Sequence, residues 1–246
     1  MAFEAQLSQS ADAVIDELNN AHRHHAGISV LRSALNHPSV GSTALVSSFG
    51  AESVALLHIL SKVDPATPVL LIDTELLFPE TLAYQEQLSD LFGLTNVVRI
   101  TGSKLAEKDP FGDLHKHDTD ACCALRKVEP LEKALMHFDA WITGRKRFQT
   151  TDRAALEHFE ADANGRIKIN PLAHWRREDV QDYIENNRLP KHPLVDKGYK
   201  SIGCMPCTSP VKEGEDDRAG RWSGDDKSEC GIHFENGRIV RSGATR

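Results

Sequence analysis

The chain has 246 residues, 40% hydrophobic and 26% charged, a balance that supports a sizeable buried core and excludes disorder throughout. With 36 acidic against 29 basic side chains the formal charge is −7, which argues against general binding of duplex DNA or anionic membrane and leaves room for a local basic pocket that takes a small anion. Mean hydropathy is −0.40 and no apolar run approaches the roughly 18 residues of a spanning helix, so no membrane partner is expected.

The acidic start MAFEAQLSQSADAVIDELNN has no apolar signal-peptide core and predicts a cytoplasmic protein. Residues 9–25 and the stretch ISVLRSALNH carry apolar positions at helical spacing, and 1–35 reads as an N-terminal helical extension. Its AHRHH run reads as a solvated helix end rather than a metal site. TALVSSFG is a short apolar run entering a turn of small residues, and AESVALLHILSKV returns to helical spacing. PVLLID predicts a second strand, FPETLAYQEQLSDLFGL a helix and NVVRIT a third strand. KVEPLEKALMHF predicts a helix, AWITG a fourth strand from Ala140 and KINPLAHW a fifth. Strands alternating with helices over 36–208 predict an α/β fold: a mostly parallel sheet with helices on both faces. From 209 to 246 the chain is rich in Gly, Ser and charge and cannot build its own core. A cysteine, a tryptophan and spaced arginines mark that stretch as a mobile functional tail.

Five cysteines in a reducing compartment do not make a disulfide framework. They fall as two pairs, Cys122–Cys123 and Cys204–Cys207, with Cys230 alone. Four soft thiolates suit a [4Fe–4S] cluster or a tetrahedral zinc, and spacing leaves both open. Neighbouring side chains diverge by about 100° on a helix, which a cubane's separated corners accept better than one ion. Ser47–Ser53, between a strand and a helix, places small residues where backbone N–H groups meet an anion, and lacks the Gly-Lys-Ser/Thr of a Walker loop. Asp73 and Thr74 follow the next strand, where ligands of open α/β sheets bind, and Pro79 and Glu80 suit a first helical turn. Arg126, Lys127, Arg145, Lys146, Arg147, Arg218 and Arg221 supply positive charge near strand ends and in the tail. Glu229-Cys230-Gly231-Ile232-His233 sets a thiol among flexible neighbours; it is either incidental or a working thiol.

Together these residues resemble the assimilatory adenylyl-sulfate reductase family, within the larger group of PAPS reductase-like proteins. SSFGAES is similar to that family's modified pyrophosphate loop and IDTELLFPET to its second nucleotide segment, while CC…CxxC and ECGIH are its specific features. The resemblance spans roughly residues 40–234. It implies an adenine-nucleotide α-hydrolase-like (PP-loop) fold, with 36–208 as the nucleotide-binding domain and 209–246 as a mobile catalytic tail. It implies that Cys230 attacks the sulfur of adenosine 5′-phosphosulfate, leaving AMP and an S-sulfonate. Thioredoxin or a glutaredoxin-like dithiol would then release sulfite, a step of assimilatory sulfate reduction toward sulfide and cysteine. By the same resemblance Cys122, Cys123, Cys204 and Cys207 hold a [4Fe–4S] cluster, and Lys127, Arg218, Arg221 and His233 contact the phosphosulfate. Ser47, Gly50, Ala51, Glu52, Asp73, Thr74 and Leu77 face the nucleotide. Glu75 stands where the DTG version of the second segment has glycine. No nucleic-acid partner is expected, and a homo-oligomer stays open. The rival readings are a reductase of the 3′-phosphorylated compound PAPS, an ATP-using RNA thiolase of the same fold, and a non-catalytic zinc-binding module.

Overall fold

The computed structural model describes residues 10–23 and 26–222. Two helices, α1 (Ala11–Ala21) and α2 (Gly27–Asn36), precede the first strand, β1 (Thr43–Val46). Then follow α3 (Ser53–Val63), β2 (Val69–Ile72), α4 (Pro79–Phe92) and β3 (Val97–Ile100). The chain continues through α5 (Leu105–Lys108), α6 (Thr119–Cys123), a π-helical turn at Ala124–Val128 and α7 (Glu129–Leu135) to β4 (Ala140–Ile142). A hairpin of β5 (Phe159–Ala161) and β6 (Ile167–Ile169) leads to α8 (Arg177–Asn186).

The sheet order is β3-β2-β1-β4-β6-β5. All pairings are parallel except β5 against β6. Side chains alternate faces with period two. Leu45, Val69, Leu71, Ala140 and Ile142 enter the larger core with the apolar stripes of α1, α2, α3 and α4. Ala44, Leu70, Ile72 and Trp141 turn the other way and meet Leu131 and Leu135 of α7. Helices therefore cover both faces, as the alternation of strands and helices predicts. The chain runs outward from β1 to β3 and returns to β4 on the far side of β1, which makes the β1/β4 boundary the switch point where such sheets bind ligands.

Three local readings change. The strand expected at KINPLAHW closes at Ile169, because Asn170-Pro171 turns the chain, with Ala173 N–H donating to the Asn170 carbonyl at 3.0 Å. β5 and α8 were not legible as elements. Asp162 closes the hairpin by accepting from the Asn164 and Arg166 N–H groups at 2.8 and 3.0 Å, and Gly165 takes φ +79°. The AHRHH run is not simply a solvated end: His22 is buried against Phe159, while His24 and His25 lie outside the described residues. Asn19 reaches the same place, its Nδ2 donating to the Phe159 carbonyl at 2.8 Å and its Oδ1 accepting from the Phe159 N–H at 3.0 Å.

Candidate active site

β1 ends at Val46, and the small residues after it let the chain fold sharply into α3. Ser47 Oγ accepts from the Phe49 N–H at 3.2 Å, and Phe49 itself is fully buried with φ +49°. At Gly50 a Cβ would stand 3.3 Å from the Ile202 carbonyl, so the glycine permits a close approach of two backbones. Glu52 closes the loop at the N-terminus of α3. Its Oε2 receives Lys146 Nζ at 2.7 Å and Gln149 Nε2 at 3.1 Å. Burial pushes the Glu52 carboxyl up, but Lys146, Gln149 and Arg177 together outweigh it and hold the group below its ordinary value.

At the end of β2, Asp73 Oδ1 accepts from the Glu75 N–H at 2.9 Å, and Glu75 takes φ +58°. Thr74 is completely buried; its Oγ1 lies 3.2 Å from Cys204 Sγ. Leu77 bridges to Cys204, and the Met205 N–H donates to the Leu76 carbonyl at 2.7 Å. The segment after β2 and the CxxC loop are thus joined backbone to backbone.

The other cysteine pair ends α6, whose cap is Asp118 accepting from the Ala121 N–H at 2.8 Å. Cys122, Cys123 and Cys204 are buried and Cys207 is half-buried. Burial and neighbouring Cys123 push the Cys122 thiol up to about 11. Burial and Cys204 raise Cys207 likewise. Cys204 is the exception. Burial raises it, yet Lys127, Thr74 and Arg221 together bring it below its ordinary value. The two pairs therefore feel one another's charge. Among the described residues no three His, Cys, Asp or Glu side chains converge tightly enough to hold a single metal ion.

These loops enclose a cavity of about 250 Å³ beyond the ends of β1, β2 and β4. Ser47, Gly50, Ala51, Glu52, Thr74, Leu77, Lys127, Cys204, Arg218 and Arg221 line it. Asp73, Cys122, Cys123 and Cys207 stand outside its lining. Cys230 and His233 lie outside the described residues. Eight basic side chains face the cavity against three acidic ones, although the whole chain is acidic. Arg145 and Lys146 reach it from the end of β4, while Arg147 turns away to pair with Glu157 at 2.8 Å. Arg153, Arg177 and Lys200 were missed by sequence reasoning, as were Phe148 and Trp222 as cavity walls. Arg177 pairs with Asp217 and lies 5.0 Å over the Phe148 ring; Arg221 lies 4.4 Å over the buried Trp222. The only signal for Arg177 is an Arg-Arg pair opening a short polar helix, which reads equally as a solvated face.

Residues 42–210 match the phosphoadenosine phosphosulfate reductase domain. A Mesorhizobium japonicum protein named adenosine 5′-phosphosulfate reductase is 54% identical over 193 residues, 78% of this chain and 76% of its own. A Chelativorans relative of the same name is 48% identical over 228 residues, covering 91% and 93%. A Gloeobacter violaceus relative, named phosphoadenosine 5′-phosphosulfate reductase, is 43% identical over 195 residues, covering 77% and 81%. Among solved structures, phosphoadenylyl-sulfate reductase from Candida auris in a phosphate complex superposes with a TM-score of 0.66 at 30% identity, covering 80% of this chain and 96% of that one. FMN adenylyltransferase from Candida glabrata shares the fold alone, at TM-score 0.54 and 15% identity, covering 83% and 76%. By its sheet, its modified loop and these relatives, the chain belongs to the phosphoadenosine phosphosulfate reductase family.

Proposed function

We propose that this protein reduces adenosine 5′-phosphosulfate to sulfite and AMP through an S-sulfonate on Cys230. The observation that carries the reading is the basic cavity at the switch point of the sheet, walled by Lys127, Arg218, Arg221 and Cys204, in a chain whose relatives bear the reductase name. The nucleotide lies across Ser47, Gly50, Ala51 and Glu52 and against Asp73, Thr74 and Leu77. The phosphosulfate faces Lys127, Arg218 and Arg221, with His233 joining from the tail. Cys230 as thiolate attacks the sulfur; an S–S bond forms, the S–O bond breaks, and AMP departs with the electron pair. Fixed cations stabilise the charge that gathers on the leaving phosphate. A dithiol of the thioredoxin or glutaredoxin type then attacks the Cys230 sulfur. Sulfite leaves with the bonding pair, and the donor's second thiol releases Cys230 as the donor closes its own disulfide. Cys230 lies eight positions beyond Trp222 at the cavity wall, and an extended segment spanning that step reaches up to about 26 Å, enough for the attack.

The donor set suits an iron–sulfur group: four mutually sensed thiols, two of them raised by burial, beside Lys127 and Arg221. Cys122, Cys123, Cys204 and Cys207 would hold a [4Fe–4S] cluster, which when bound supplies charge beside the phosphosulfate and ties the two cysteine segments together. A loose set suits a cubane's spread corners better than one zinc. The PAPS reading draws on the Gloeobacter and Candida auris names. Steady-state rates with both substrates separate the two readings.

The decisive test is mass spectrometry after incubation with adenosine 5′-phosphosulfate and no reductant. An added SO3 group on the peptide carrying Cys230, absent from Cys230→Ser, is the expected result. Sulfite production by Cys230→Ser at the wild-type rate overturns the scheme.

A further inference from the structure

We propose that Arg126, fixed by Asp109, is a positioning residue that clamps the Thr74–Glu75 peptide and thereby shapes the nucleotide cavity. The inference rests on the nucleotide reading above and concerns Arg126 and Asp109, which stand outside the cavity's lining. The π-helical turn after Cys123 is wider than an α turn, and both Arg126 and Lys127 point inward from it, 3% and 8% exposed. Lys127 lines the cavity and Arg126 lies behind it. The guanidinium donates to Asp109 Oδ2 from Nε at 3.2 Å and from Nη2 at 2.7 Å. Asp109 is itself immobilised, its Oδ1 accepting from the Asp113 and Leu114 N–H groups at 2.9 and 3.1 Å. Nη1 donates to the Thr74 carbonyl at 2.6 Å, with Glu75 Oε2 at 3.9 Å.

The Thr74 carbonyl and the Glu75 N–H belong to one peptide plane. Arg126 holds its oxygen, and Asp73 Oδ1 holds its N–H. Pinned at both ends, the plane forces Glu75 into the left-handed region at φ +58°, a conformation costly for a side chain other than glycine. On the same segment Thr74 Oγ1 lies 3.2 Å from Cys204 Sγ and Thr74 forms part of the cavity wall. Without the guanidinium, Glu75 has every reason to relax and carry Thr74 with it. The strain is thus confined to one residue, and glycine at that residue would remove it.

The test is calorimetric titration of AMP into the cluster-loaded protein, with thermal midpoint and iron content recorded for each variant. We expect Arg126→Met to weaken AMP binding about tenfold or more while iron content stays at the wild-type level. Adding Glu75→Gly to that background restores affinity to within about threefold of wild type, and Glu75→Gly alone stays within about threefold. Should Arg126→Met fail to fold, Arg126→Lys keeps the charge opposite Asp109 but cannot bridge both loops, and is expected to show the same loss and rescue. AMP binding unchanged in a folded Arg126 variant, or a loss that Glu75→Gly does not recover, overturns the clamp. Failure of the wild-type protein to bind AMP overturns the nucleotide reading itself, and the clamp with it.

Discussion

Lys168 is the residue where burial and charge conflict most. It sits in the middle of β6, 4% exposed, with its ammonium 4.7 Å over the Trp141 ring. Burial above all, with nearby Arg145, brings its pKa down to about 7 against the pull of Glu160 and Asp162. The folded protein thus binds this proton more weakly than the unfolded chain. The penalty is full below pH 7 and fades as pH rises from about 7 toward 10.5. Lys168→Met keeps the unbranched stem against Trp141 without the charge. It should stabilise the fold at pH 7 by up to about 4 kcal/mol and flatten the rise in stability between pH 7 and 9, measured by urea unfolding. A destabilised Met variant would show that the cation over Trp141 is worth more than its desolvation costs.

At the scale of elements, His192 docks the chain beyond α8 onto α4. Its Nε2 lies 3.0 Å from Thr81 Oγ1, its Nδ1 accepts from the Leu194 N–H at 3.1 Å, and Tyr84 meets it edge-on at 4.9 Å. Burial lowers its pKa to about 4, so the fold keeps the ring neutral. Stability is complete above about pH 6.5, where the unfolded histidine is also neutral, and is lost as pH falls toward 4. The expected loss from this one group between pH 7.5 and 5 is about 2 kcal/mol, and His192→Gln should remove that share of the decline in denaturant melts. None of this docking was readable in advance, since it joins positions 111 residues apart. What the amino-acid pattern did reveal were the buried strands: Val69–Ile72 is wholly apolar and wholly buried, and hides between two helical layers. β5 escaped notice because three residues, only the first buried, carry no period. α8 escaped because Val180 is its only buried residue. The site followed the same rule. The loops after β1 and β2, Ser47–Glu52 and Asp73–Leu77, announce themselves in local composition. Arg177 and Lys200 enter the cavity wall through Asp217, which no local window connects to them.

Over the whole molecule, a charge of −7 surrounds a cavity lined mainly by cations. Distant acidic groups are screened within about 8 Å at physiological salt, whereas the cavity's own cations act at contact. AMP affinity should therefore fall several-fold between about 20 and 500 mM salt while adenosine affinity stays nearly constant, read by calorimetry in parallel titrations. Equal salt sensitivity for the two ligands would remove the cavity's cations from nucleotide binding. The N-terminal extension has a part at this scale that its composition does not announce. Asn19 offers a carboxamide to the outer rim of β5, giving and taking a hydrogen bond at Phe159 just as an adjoining strand would. A sheet margin left bare invites a stranger's backbone to zip alongside it. By lending one side chain as a counterfeit neighbour, the opening helix fills that margin at Phe159, where another chain's strand would otherwise pair.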